Sequence, residues 1–146
     1  MISIEALIND ICQTLGSSEK TKGITFIPEF PARKQDLPLK HPVVSVGVER
    51  VGANPLDDNT TLLVNESPCT ARVRLLMCVP KSAGGDASHR VLDKVLSACP
   101  LLLPKYKILR FYTGTVKYST VITGLVLPLD IVFSVGHAFD SAHSEN

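Results

Sequence analysis

The 146-residue sequence predicts an α+β domain: a mainly antiparallel β-sheet with two α-helices packed on one face, a long inter-strand loop and a bent C-terminal hairpin. Three observations carry this. Residues 4 to 15 and about 87 to 99 repeat apolar positions at helical spacing. Segments on either side of the second of these alternate apolar and polar residues with the period of a strand. The strands come in runs before and after that helix, whereas a parallel sheet requires strands and helices to take turns.

The first helix is amphipathic through Ile4, Leu7, Ile8, Ile11 and Leu15, with Ser3 placed to cap its start and Gly16 to end it. A polar linker, SSEKTKG, leads to a short strand, ITFI. The next segment, residues 28 to 42, has four prolines in fifteen positions. Each proline fixes φ and removes a donor, so this is an extended arm. Strand VVSVGVERV then puts Val44, Val46 and Val48 on one face and Ser45, Gly47 and Glu49 on the other. A long polar loop spans about residues 52 to 68 and has a candidate short strand at TTLLV.

The returning strand, CTARVRLLMCV, alternates Ala71, Val73, Leu75, Met77 and Val79 inward, with Arg72 and Arg74 on the opposite face. PKSAGGD turns the chain into the second helix, where Asp86 is expected to cap the start and Pro100 to stop the end. Two long strands close the domain, KILRFYTGTVKYS and LVLPLDIVFSV, joined by a bend at TVITG. Leu125, Leu127, Leu129, Ile131 and Phe133 share one face of the last strand. Pro128 has the opposite parity and belongs at an edge or a bulge. The tail, residues 136 to 146, is expected to fray.

Composition narrows the function by exclusion. Net charge is +1 from 15 basic and 14 acidic residues, and the charges are spread along the chain. That balance argues against nucleic-acid binding as the main task, because phosphate neutralisation needs a basic surface; a local patch is compatible with it. No apolar run approaches the roughly 20 residues a membrane span needs. The N-terminus has neither a basic region nor a small-residue cleavage site, so the chain is expected to stay in the compartment where it is made. The four cysteines, at 12, 69, 78 and 99, form no close pair. They read as free thiols, and the sequence predicts neither a metal site nor a disulfide.

Catalytic signatures are missing. PKSAGGDASHR lacks the G-K-[ST] of a phosphate-binding loop. His137, Asp140 and His143 sit in a polar tail with no packed shell to hold a metal. The sequence therefore predicts no enzyme, no cofactor and no catalytic residue. Arg72 and Arg74, with Arg50 on the expected partner strand, are the main local charge feature. They read either as solvated charges on an open sheet face or as the lining of an interface or channel. On either reading, exchanging Arg72 and Arg74 for Glu is expected to leave the domain folded.

The succession of a short helix, a proline-containing arm, the strand HPVVSVGVERV, a long polar loop, a strand ending LMCVP, a helix and a bent hairpin through VKYSTVITGLVLPLDIVF resembles the tail-terminator (tail-completion) proteins of long-tailed phages. The resemblance covers about residues 3 to 135 and rests on element order and loop placement. It implies a homo-oligomeric ring, usually a hexamer, that caps the tail tube, stops its growth and offers a surface to the head connector. The partners it implies are further copies of the chain, the tail tube protein and the head–tail connector, with no membrane and no sequence-specific nucleic acid, although DNA passes through such a ring. The implied location is the virion at the tail–head junction, reached from the host cytoplasm. The candidate interface residues are Arg50, Arg72 and Arg74 on strands, Asp57 and Asp58 on the loop, and Lys81 in the turn before the second helix. The rival reading is a small cytoplasmic ligand-binding or regulatory module, or a phage assembly adaptor.

Overall fold

The chain builds two helices and one six-stranded, mostly antiparallel sheet, an α+β fold, in a computed structural model that describes residues 2–28, 39–53 and 68–137. Most of the proline-rich arm, the loop with its candidate strand at TTLLV, and the tail beyond residue 137 lie outside the described residues.

Helix α1 (Ile4–Gly16) starts where Ser3 accepts a hydrogen bond from the Ala6 amide at 3.3 Å. It buries Leu7, Ile11 and Leu15, one stripe at helical spacing, against the sheet. Each such side chain contributes about 1.5–3 kcal/mol by leaving water. Strand β1 (Thr25–Pro28) runs parallel to β2 (Val43–Ala53), pairing Thr25 with Val43 through Pro28 with Val46. The sequence places a strand here, but an antiparallel partner would need only a tight turn. The fourteen-residue connection between the two strands is long enough for the crossover that parallel pairing requires.

Strand β2 pairs antiparallel with β3 (Pro68–Pro80), and β3 with the long β6 (Gly124–His137). Strands β4 (Lys107–Thr113) and β5 (Lys117–Ser119) both lie along the other side of β6, so the sheet order is β1-β2-β3-β6-β4 with β5 beside β6. The stretch that alternates like one strand in the sequence is thus broken in two. Pro128 explains the break. On that side of β6 the ladder runs to Leu129 with β4 and resumes at Val126 with β5, so the proline's missing N–H falls in the gap. Its carbonyl accepts from the Gly114 amide at 3.0 Å, and a Cβ at Gly114 would lie 2.7 Å from the proline ring.

Helix α2 (Gly85–Ala98) begins two residues earlier than the sequence predicts. Asp86 does not cap it. Gly84, at φ 79°, turns the chain and occupies the cap position without a side-chain hydrogen bond, and Asp86 sits in the first turn. There its charge faces the positive end of the helix dipole. A short 3₁₀ turn containing Pro100 (Cys99–Leu102) ends the helix.

Both helices cover the same face of the sheet. Val44, Val46, Ala71, Val73, Leu75, Met77, Leu129, Ile131 and Phe133 are buried beneath them. A smaller apolar cluster, Leu39, Val43, Cys78 and Ile122, covers one end of the opposite face. Among the described residues, the rest of that face has no helix on it.

One polar link ties α1 to the start of β4. Asp10 accepts hydrogen bonds from Lys105 Nζ at 2.7 Å and from the Tyr106 hydroxyl, while the Tyr106 ring packs edge-on against Phe133. Lys105 first, then Tyr106, hold the Asp10 carboxyl below its ordinary range. Burial, then Asp10, pushes Tyr106 from 10 to about 12. A raised tyrosine pKa stabilises the fold below pH 10, and this contribution is lost as pH rises through about 12. We therefore expect an alkaline loss of stability over that interval, read from unfolding midpoints, that Tyr106→Phe flattens. An unchanged alkaline limb in the variant would remove Tyr106 as its source.

Candidate interface

The open face of the sheet collects the chain's strand-borne charges, and two β-bulges decide which ones. In β2 the register slips between Val48 and Arg50: Val48 pairs with Val73, and Arg50 with Arg72. Strict alternation from Val44, Val46 and Val48 would send Arg50 toward the core face. The extra residue, Glu49, turns it to the open face beside Arg72. In β4 the register slips between Ile108 and Arg110: Lys107 pairs with Ser134, Ile108 with Phe133, and Arg110 with Val132. Lys107 and Arg110 are three apart and would occupy opposite faces of a regular strand, but the bulge at Leu109 puts both on the open one.

Arg72 and Arg74 are not equivalent. Arg74 donates from Nε at 2.8 Å and from a terminal nitrogen at 3.0 Å to the two carboxylate oxygens of Asp130, and it meets Glu49 at 2.7 Å. Asp130 is only 4% exposed. The hydrogen bond to Asp130 holds the Arg74 guanidinium further toward its charged form. Arg74 is therefore a structural counter-ion, and exchanging it for Glu would set three carboxylates together. This corrects the expectation that both arginines tolerate such an exchange. Arg72 instead donates to the Tyr112 hydroxyl at 2.7 Å, makes no direct ion pair among the described residues, and feels Glu49 and Asp130 only at longer range.

Arg50, Arg72, Lys107 and Arg110 line one groove of about 860 Å³, together with Gly52, Pro68, Thr70, Leu109, Val132 and Ser134. The sequence reading missed Lys107 and Arg110, because only the bulge and the β4–β6 pairing bring them to this face. Lys81 stands apart at the other end of β3, with Nζ 5.1 Å from the centre of the Tyr118 ring. Asp57 and Asp58 lie outside the described residues.

The sheet edges form the second feature. Strand β4 is an edge strand, and Phe111 and Leu109 on it are 55% and 45% exposed. Phe111 and Ile108 join Leu96, Cys99 and Leu103 around an apolar groove of about 400 Å³ on the helix side of the sheet. At the opposite edge β1 pairs with β2 only as far as Val46, which leaves Gly47 to Ala53 without an outer partner among the described residues. There Ile4, Ile8, Pro28, Val46 and Val48 line a second groove of about 420 Å³.

The cysteines offer little chemistry. Burial pushes the Cys78 thiol up to about 12 and Cys99 to about 11, and it raises Cys12 as well, so the thiolate that would attack or bind metal is disfavoured.

Compared with protein-family models and with curated proteins, the chain gives no match.

Proposed function

We propose that this domain is a ring-forming structural subunit of the phage tail-terminator type, which caps a tail tube and presents a joining surface to the head connector. One observation carries the reading: among the described residues the sheet has two unpaired edges of different sequence, on opposite sides, each flanked by an apolar groove on the helix face. An unpaired edge is a template for another strand. Strand directions reverse at each step from β2 through β3 and β6 to β4. Placing β4 of one copy beside β2 of the next therefore continues an antiparallel sheet. Joining two unlike surfaces head to tail gives a ring when the rotation closes. Two like edges would give only a dimer.

The element order of the chain and the surplus apolar edge surface favour this reading over a ligand-binding module. Electron microscopy of the purified chain, alone and with tail tubes, tests it. A closed ring with a central hole, six-fold and seated at tube ends, is the expected image. One isolated copy at the tube end, or no attachment to tubes, would end the proposal.

A further inference from the structure

We propose that the groove formed by Arg50, Arg72, Lys107 and Arg110 binds the sugar–phosphate backbone of duplex nucleic acid without reading its sequence. This goes beyond the capping role and concerns a surface whose described lining comes from one copy of the chain.

Charge segregation is the first support. The whole chain is nearly balanced at +1, yet four cations and no carboxylate line this groove among the described residues. The two acidic groups of the same face near it, Glu49 and Asp130, are both held by Arg74, which does not line the groove. Two separate bulges are needed to bring Arg50, Lys107 and Arg110 to one side. Bulges that re-aim side chains are common beside functional sites.

Shape and chemistry select the ligand class. About 860 Å³ is more room than one small anion fills, and the cations come from β2, β3 and β4, so they are spread across the sheet. The floor is of small or short side chains, Gly52, Thr70, Val132 and Ser134, which lets a backbone come close. Among the described residues no aromatic ring lines the groove, so unstacked bases would find no platform there. Duplex is favoured over single strand for that reason. An acidic peptide fits less well: across the face the strands pair in the order β2-β3-β6-β4, so a peptide lying in the groove between the two edges would find its own amides unmatched, whereas a phosphodiester chain presents acceptors to arginine and lysine. The Tyr112 hydroxyl fixes the Arg72 guanidinium at 2.7 Å before any ligand arrives.

The assay is fluorescence anisotropy with two labelled DNA duplexes of unrelated sequence, a single strand of equal length and a poly-glutamate peptide, at several salt concentrations. The variant is Arg72→Gln with Lys107→Gln, checked for fold by circular dichroism and for oligomeric state in the same samples. The two duplexes should bind alike and more tightly than the single strand. Log affinity should fall with log salt at a slope of at most about 4, since each phosphate contact contributes about 0.9. The double variant should lose tenfold or more in affinity and about two units of that slope. No duplex binding at low salt, binding unaffected by the double variant, a clear preference for one sequence, tighter binding of the single strand, or tighter binding of poly-glutamate would each overturn the proposal.

Discussion

Arg74→Met is expected to lower the stability of the fold by roughly 2–4 kcal/mol, somewhat less than the roughly 3–5 kcal/mol of breaking a fully buried ion pair, because the arginine itself is part-exposed. The loss comes from Asp130. Its carboxylate is 4% exposed on β6, and both of its oxygens take their hydrogen bonds from Arg74. Removing the guanidinium leaves a desolvated charge in the middle of the sheet with no described replacement. The Tyr112 hydroxyl, on the strand opposite, accepts from Arg72 and makes no described hydrogen bond to Asp130. The second half of the cycle sharpens the test: Arg74→Met with Asp130→Leu removes both charges and should recover most of the loss, since apolar replacements of a buried pair are often neutral. Arg72→Gln gives the contrast and should leave the unfolding midpoint almost unchanged. Urea unfolding with an unaltered slope reads all three. A loss for Arg74→Met below about 1 kcal/mol, the worth of a surface pair, would mean that Asp130 finds water or another donor.

The same pair shows where reading the sequence stops. Alternation located both arginines on the open face, and α1 and the Leu125-to-Phe133 stripe are realised as their periodicity predicts. Such patterns are local, so one strand or helix suffices to reveal them. What separates Arg74 from Arg72 is a residue 56 positions away, and nothing near Asp130 in the sequence announces its partner. The bulges are hidden for a related reason. One extra residue in β2 or β4 has meaning only against the register of the neighbouring strand, and it reverses the face of every residue beyond it. Alternation alone therefore sends Arg50 inward and divides Lys107 from Arg110. The parallel pairing of β1 is likewise a property of the crossover. The Asp86 cap fails because the left-handed Gly84 takes the cap position instead.

The two edges make the capping proposal exposed to a direct attack. Phe111→Glu, with Leu103→Glu as a second variant from a different element, should leave the single chain folded and abolish head-to-tail assembly. Phe111 and Leu103 are 55% and 53% exposed, and they stand on β4 and beside the 3₁₀ turn after α2, on two sides of the same apolar groove. About half of each side chain is already in water in one copy, so its exchange should leave the domain folded and lower its stability by no more than about 1 kcal/mol. In a ring the same side chains would sit between copies, where a buried unpaired carboxylate is strongly unfavourable and a large aromatic is a frequent source of binding energy. Val121→Glu is the control. Val121 is 78% exposed, but it lies in the turn between β5 and β6 and lines neither edge groove. Sedimentation of the free protein and images of tube ends should show rings with the parent and with Val121→Glu. The Phe111 and Leu103 variants should give only single chains and bare tube ends. Rings that survive both edge variants, or are lost with Val121→Glu alone, would place the contact elsewhere on the molecule and withdraw β4 as the joining edge.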